Sequence, residues 1–344
     1  MTILDDPTDW PGVRRHLAAR GLRLDADPAP KRFSGGLANI NYLIHLGGMP
    51  AVLRRPPPGP LPPGAHDMGR EHRILTALPK ALDFVPRGLH LCTDPAVTGV
   101  SFQIIEFRAG RTIRDHLPAD IATPAHAAAL SETVLSTMAA IHAVDPDALG
   151  LGDLGRPEGF LRRGVDGWRR RGEASATPDS MRLISELGAW LDRHLVPDGP
   201  AVMLHNDLKL DNMILSPELR PVGVVDWDQG TRGDRRFDLG TSLSYWTEAG
   251  DSPVMHELAQ MPTAAPGFLT REQAAVRYAA ITGCDLSDFR FFRVLGLTKL
   301  GVIFQQLGAL HRSGATTDPR YTRFSALGTG LFEVGLDVAA GRIF

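Results

Sequence analysis

Between residues 205 and 226 the chain gathers side chains suited to one kind of chemistry. His205, Asp207, Lys209 and Asn212 follow one another as H-x-D-x-K-x-x-N, and Asp226 closes the later apolar run Val222-Gly223-Val224-Val225. A carboxylate, an ammonium, an amide and a second carboxylate in that order suit phosphoryl transfer, where charge spreads over phosphate oxygens and the protein chiefly positions groups and stabilises charge. Asp207 is then the base that orients and deprotonates an acceptor hydroxyl. Asn212 and Asp226 offer hard oxygen donors for Mg²⁺ beside the phosphates of ATP. Lys209, close after the base, would neutralise charge on the moving group, while His205 braces the loop by a hydrogen bond. Singly, an aspartate or asparagine in a loop is a cap or a turn; the joint spacing points to chemistry.

Several elements must position these groups. Residues 10–20 carry Trp10, Val13, Leu17 and Ala18 at helical spacing after Asp9, with an early Pro11. Tyr42 to Leu46 and Ala51 to Leu53, joined through Gly47-Gly48, predict a hairpin; residues 67–78 predict a helix with Met68, Glu71 and Leu75 on one face, and 89–92 with 100–107 a further strand pair. Beyond Gly110 the pattern becomes helical: 112–117, 124–142, 181–195, a run from Leu239 to Trp246, and 295–310. The expected fold class is α+β, with a small antiparallel-sheet part followed by a larger, mostly helical one. Expected bounds are 1–30 for an N-terminal helical extension, 31–107 for the first lobe and 108–344 for the second.

Composition removes other classes. The 344 residues are 43% hydrophobic and 22% charged, an ordinary globular balance. Against 39 Asp and Glu stand 37 Lys and Arg, giving −2 and no global positive field for a nucleic acid or an anionic membrane. Cys92 and Cys284 show no disulfide or zinc spacing. No apolar run approaches a bilayer span, and the first ten residues carry three aspartates rather than a secretory pattern, so the expected location is the cytoplasm.

The segment His205 to Asn212 with Asp226-Trp227-Asp228 resembles the aminoglycoside phosphotransferase superfamily, small-molecule relatives of protein kinases. The resemblance runs from about Lys31 to His311, and Asn206 departs from it where relatives carry glycine. Within the superfamily the chain is similar to the kinase-like domain fused to certain acyl-CoA dehydrogenases. Phe33-Ser34-Gly35-Gly36, Val52 to Gly59, Arg70 to Leu75 and Gly155-Arg156-Pro157-Glu158-Gly159 leading to Trp168 carry that similarity. It implies a bilobal protein-kinase-like fold and an ATP-dependent, Mg²⁺-using kinase, and in the fused members a hydroxylated fatty acyl-CoA as acceptor.

The resemblance also places a nucleotide site. Ser34, Gly35 and Gly36, adjacent turn residues before a strand, would present backbone N–H groups to phosphate. Arg54 stands where protein kinases have their phosphate-pairing lysine, and Glu71 is its natural partner; Arg54 either contacts phosphate or ties helix to sheet. Glu106, Phe107 and Arg108 would neighbour adenine at the hinge, and Asp238 would brace the catalytic loop. Arg156, Arg162, Arg163, Arg169, Arg170 and Arg171 around Trp168 form either a solvated helix face or an anion site for an acceptor's phosphates. The expected partner is a small hydroxylated molecule, CoA-linked or a related hydroxy acid. The alternatives are an aminoglycoside or other small alcohol, and a nucleotide-binding pseudokinase without transfer activity. The sequence does not define the oligomeric state.

Overall fold

The computed structural model describes residues 8–33, 39–57 and 67–344. In chain order the elements begin with α1 (Trp10–Ala18), β1 (Lys31–Arg32), β2 (Ile40–Leu46), β3 (Met49–Arg55), α2 (Met68–Ala77), β4 (Gly88–Cys92), the single turn α3 (Pro95–Thr98) and β5 (Phe102–Glu106). Then come α4 (Pro124–His142), α5 (Phe160–Ser175), α6 (Pro178–Arg193), β6 (Ala201–Leu204), β7 (Met213–Leu215), β8 (Pro221–Val224) and β9 (Thr231–Asp234). The chain closes with α7 (Arg235–Ser244), α8 (Pro253–Leu258), α9 (Arg271–Thr282), α10 (Phe289–Arg312) and α11 (Phe324–Ala339). Two compact units result: Met1–Gly110 with Val222–Gly230, and Arg111–Pro221 with Thr231–Phe344. The fold is α+β, of the bilobal protein-kinase-like class.

The first unit is built on an antiparallel five-stranded sheet in the order β1-β2-β3-β5-β4. Gly47 and Gly48, at φ 57° and 85°, make the two-residue turn between β2 and β3, a left-handed backbone that glycine adopts without a Cβ penalty. Period-two alternation turns Tyr42, Ile44, Leu53, Phe102 and Ile104 into one core, against which Val13 and Leu17 of α1 are fully buried. The N-terminal helix thus packs into this unit's core. On β3 the register sets Arg54 between Asn41 on β2 and Gln103 on β5, one polar row crossing three strands.

In the second unit α10 packs against α11, α7, α5 and α6. Its crossing with α7 requires glycine: a Cβ on Gly240 would stand 2.5 Å from the Phe292 carbonyl oxygen, and one on Gly296 would stand 2.6 Å from that of Gly240. Thr177 and Thr270 begin α6 and α9 with reciprocal capping boxes to Ser180 and Gln273. Antiparallel β6 and β9 run from Ala201 opposite Asp234 to Leu204 opposite Thr231, so the segment from His205 starts where that ladder ends.

Three expectations about elements need correction. Residues 112–117 are not helical. Arg111 exchanges backbone hydrogen bonds with Leu215 at 3.0 and 2.8 Å, which commits the chain to an extended path, and Pro118 follows too soon for a helix to nucleate. The run expected from Leu239 begins at Arg235, where Asp234 is the N-cap, and the one expected from Leu295 begins at Phe289.

Candidate active site

In the second unit, Asp207 lies 8% exposed with both carboxylate oxygens engaged. Lys209 Nζ donates to Oδ2 at 2.8 Å and Asn212 Nδ2 to the same oxygen at 2.9 Å, while the Tyr245 hydroxyl donates to Oδ1 at 2.5 Å. Burial by itself would raise this carboxyl; the Lys209 and Lys299 charges and the Lys209 and Tyr245 hydrogen bonds outweigh it and hold Asp207 below the ordinary aspartate range. It is therefore a charged acceptor at neutral pH, able to orient a hydroxyl and take its proton as the oxygen bonds to phosphorus. The Asn212 amide nitrogen also donates to the Asp207 carbonyl at 2.8 Å, so its amide oxygen is the atom suited to a cation.

The loop is held from below. Asp238 accepts the His205 N–H at 2.8 Å on Oδ2 and the Asn206 N–H at 2.9 Å on Oδ1, and pairs with His142 Nε2 at 3.1 Å. Burial opposes its charge, yet His142 first, and His205 with its backbone N–H, keep it below the usual carboxylate range. His205 Nδ1 accepts the Asp207 N–H at 3.2 Å, a brace within the loop. Asn206 has φ 63°, the left-handed conformation that glycine favours and that asparagine adopts more readily than other side chains. Lys299, 1% exposed, donates to the Asn206 carbonyl.

In the first unit, Arg54 and Glu71 meet. Arg54 Nε donates to Glu71 Oε2 at 2.9 Å, Gln103 Nε2 donates to that oxygen at 2.6 Å, and the Trp227 N–H reaches Glu71 Oε1 at 3.1 Å. Arg54 Nη2 donates to Asp226 Oδ1. Burial disfavours the guanidinium charge, but Asp226, Glu71 and Asp228 together raise Arg54 above the ordinary arginine value. Glu71 is raised, by burial first, with Arg54 opposing. Asp226 sits at φ 67°, a left-handed backbone two residues after β8 ends at Val224. Arg55, beside Arg54, and Arg70, beside Glu71, go elsewhere: Arg55 to Thr8 at 3.2 Å and Pro56 O at 3.3 Å, and Arg70 to the Asp228 carbonyl. Glu106 ends β5 and pairs with Arg108 at 3.1 Å and Arg87 at 3.2 Å; Phe107 follows, half-buried. Ser34, Gly35 and Gly36 lie outside the described residues.

The arginine-rich segment is α5, and much of it is locally engaged. Arg162 and Arg169 clasp Asp192 of α6 at 2.6 and 2.5 Å, Arg163 donates to the Glu158 and Arg156 carbonyls, and Arg171 stacks 3.8 Å over Trp168. Sequence reasoning missed Tyr245 and Lys299. Tyr245 carries no spacing signal, but Lys299, a cation inside an apolar helical run, must find a partner and was a signal in itself.

A buried, charge-held carboxylate on a strand-end loop and a strand Arg paired with a helix Glu define a phosphotransferase of the kinase-like type. Residues 30–273 match the model of the phosphotransferase enzyme family. The chain belongs to that family. It is 31% identical over 319 residues to acyl-CoA dehydrogenase family member 11 of Gallus gallus, covering 90% of this chain and 40% of that protein. It thus spans about two-fifths of the length of that relative. A solved structure from Ralstonia eutropha, assigned to the aminoglycoside phosphotransferases, superposes with TM-score 0.78 at 24% identity, covering 97% of this chain and 98% of the other. A thermostable mutant of aminoglycoside phosphotransferase APH(4)-Ia, in ternary complex with ADP and hygromycin B, superposes with TM-score 0.62 at 15% identity over 96% and 99% of the two chains. Among the described residues no helix is long and apolar enough to cross a membrane.

Proposed function

We propose that the protein transfers the γ-phosphoryl group of ATP to the hydroxyl of a small molecule, a hydroxyacyl-CoA or a related hydroxy acid, in the cytoplasm. The observation that carries it is Asp207, kept ionised at 8% exposure by Lys209, Asn212 and Tyr245. Asp207 orients the acceptor hydroxyl and receives its proton. Lys209 offsets charge on the transferring group. By their oxygen donors, Asn212 and Asp226 would hold Mg²⁺, which would neutralise charge on the nucleotide phosphates. Arg54, fixed by Glu71, serves the phosphates, Ser34 to Gly36 cover them, and Glu106 to Arg108 neighbour adenine. The nucleotide then belongs to the lobe at 31–107 and the acceptor to that at 108–344, with 1–30 as an extension of the first.

Support for the acyl-CoA acceptor is the likeness to acyl-CoA dehydrogenase family member 11. A second reading, an aminoglycoside or similar alcohol as acceptor, is supported by the likeness to a structure holding hygromycin B. Incubation with ATP, Mg²⁺ and a panel of hydroxyacyl-CoAs, hydroxy acids and aminoglycosides, followed by mass detection of an added phosphoryl group, decides between them. Transfer to aminoglycosides with none to the hydroxyacyl compounds would overturn the first reading, and transfer to no acceptor would leave the nucleotide-binding pseudokinase.

A further inference from the structure

A cavity of about 230 Å³ in the second unit is tied to the catalytic loop on two sides. One wall is Asp115, His116 and Leu117. The residue before them, Arg114, pairs with Asp211 at 2.8 Å, inside the loop between Asp207 and Asn212, and Arg111 is bridged to Leu215. The other wall begins at Thr247, two residues beyond the Tyr245 whose hydroxyl rests on Asp207. Thr247 in turn fixes the rest of that wall. Its N–H donates to Thr263 Oγ1 at 2.8 Å and its hydroxyl to the Met255 carbonyl at 3.0 Å, which holds the segment bearing His256, Met261 and Pro262.

The lining selects by what it lacks. No arginine or lysine is among its lining residues, so the cavity offers a phosphate no permanent cation, and Asp115 is its one carboxylate, too few for a polycation. Asp115 and His116 pair with each other at 2.8 Å and are 55% and 83% exposed in their side chains, which puts them at the mouth. Deeper, Leu117, Met261 and Pro262 with small alanines give an apolar wall, and Met261 is 2% exposed. We infer that this cavity receives the acceptor, and that it takes the short aliphatic part of a hydroxylated molecule while any charged remainder stays outside. The inference rests on the proposed transfer to a hydroxyl and specifies which part of the acceptor is recognised.

Two variants test it. Ala264→Phe places a ring in the cavity from a half-buried position, and Met261→Ala enlarges it. With ATP, Mg²⁺ and straight-chain hydroxy acids of increasing length, Ala264→Phe is expected to raise KM for the longer members about tenfold or more, with KM for ATP unchanged, and Met261→Ala to move the preference to longer chains. Calorimetry with the same hydroxy acids and nucleotide-free protein should show binding to the parent and its loss in Ala264→Phe, with thermal denaturation checking that both variants fold. If the parent transfers phosphoryl but both variants keep its chain-length profile, the cavity assignment fails while the kinase reading stands. If the parent transfers to no acceptor yet binds the hydroxy acids in an Ala264-dependent way, the kinase reading fails and the cavity assignment stands. A parent that prefers polycationic aminoglycosides over every aliphatic hydroxy acid overturns the cavity's proposed selectivity.

Discussion

The Tyr245 hydroxyl donates to Asp207 Oδ1 at 2.5 Å while Lys209 and Asn212 occupy Oδ2, so the proposed base is clamped on both oxygens before any substrate arrives. An incoming hydroxyl must share or displace one of these donors. Tyr245 and Asn212 are the neutral donors, and Asn212 is also tied to the Asp207 carbonyl, so Tyr245, the C-cap of α7, is the contact most readily exchanged.

Tyr245→Phe therefore has a directional consequence. The Tyr245 hydrogen bond is one of the influences lowering Asp207, and its loss lets burial raise the carboxyl toward the ordinary value. The parent should show no acid limb from this group in kcat/KM above about pH 4. In the variant the limb should appear at higher pH, and a shift of about one pH unit would correspond to about 1.4 kcal/mol of lost preference for the carboxylate. Identical pH profiles for the two proteins would show that Tyr245 does not act on the base.

Asp207→Asn keeps the side-chain shape and removes the charge. We expect kcat to fall by about 10² or more with nucleotide affinity largely retained, measured by steady-state kinetics alongside calorimetry with ATP. Unchanged turnover would remove Asp207 from the chemistry.

Asp226 tests the metal. It accepts from Arg54 on Oδ1, and its backbone is left-handed at φ 67°. Asp226→Ala should abolish Mg²⁺-dependent turnover and lower the affinity of nucleotide measured with Mg²⁺ far more than that measured in EDTA. Equal Mg²⁺ dependence in variant and parent would make Asp226 a partner of Arg54 only.

How far the sequence carried this site depends on the range of each interaction. The 205–212 loop was legible because its chemistry is local: a carboxylate, a lysine and an amide within eight positions converge in a turn, and the structure closes them through hydrogen bonds of 2.8 and 2.9 Å. Glu71 was legible from helical periodicity, which put it on the buried face with Met68 and Leu75. Tyr245 and Lys299 were not, since their approach depends on how α7 and α10 cross at Gly240 and Gly296, a tertiary fact without periodic trace. The failed helix at 112–117 is the same lesson: a backbone bridge from Arg111 to Leu215, a hundred residues away, overrode local propensity. For α5 the sequence offered charge without partners. Asp192, on the next helix, engages two of those arginines and was invisible as their acceptor.

Acid sensitivity follows from Asp207 and Asp238, both held below the ordinary aspartate value in the folded protein. For a carboxyl with a depressed folded value, the unfolded chain binds the proton first as pH falls. The stability each contributes is thus fully present above the unfolded value, near pH 4, and is lost as pH drops through the folded one. Urea denaturation should give a nearly constant contribution from these groups above about pH 5 and a decline below about pH 4. Asp238→Asn should flatten that decline and cost about 2 kcal/mol or more at neutral pH, because an amide cannot accept both the His205 and Asn206 N–H groups on its two ends. A decline of the same size in the variant would place the acid-sensitive group elsewhere.

The arginines of α5 yield the last expectation. Arg169 lies between Asp192 at 2.5 Å and Asp166 at 3.2 Å and is raised above the ordinary arginine value, with the Asp192 hydrogen bond as the leading cause. Arg162 takes the other Asp192 oxygen at 2.6 Å. Both arginine side chains are about one-third to one-half exposed, 32% and 44%, so salt screens these pairs and each is worth no more than about 1 kcal/mol. An acceptor phosphate would have to compete with Asp192 for either guanidinium. Arg169→Ala is accordingly expected to lower stability by about 0.5 to 1 kcal/mol in denaturant titrations at low salt, less at high salt, and to leave KM for a hydroxyacyl-CoA within about twofold of the parent. Asp192→Ala provides the opposite test, because it releases both arginines at once. If these residues bind the acceptor's phosphates, that variant should lower KM for the CoA-linked acceptor, and Arg169→Ala should raise it severalfold; if they only join α5 to α6, both variants should change stability and neither KM.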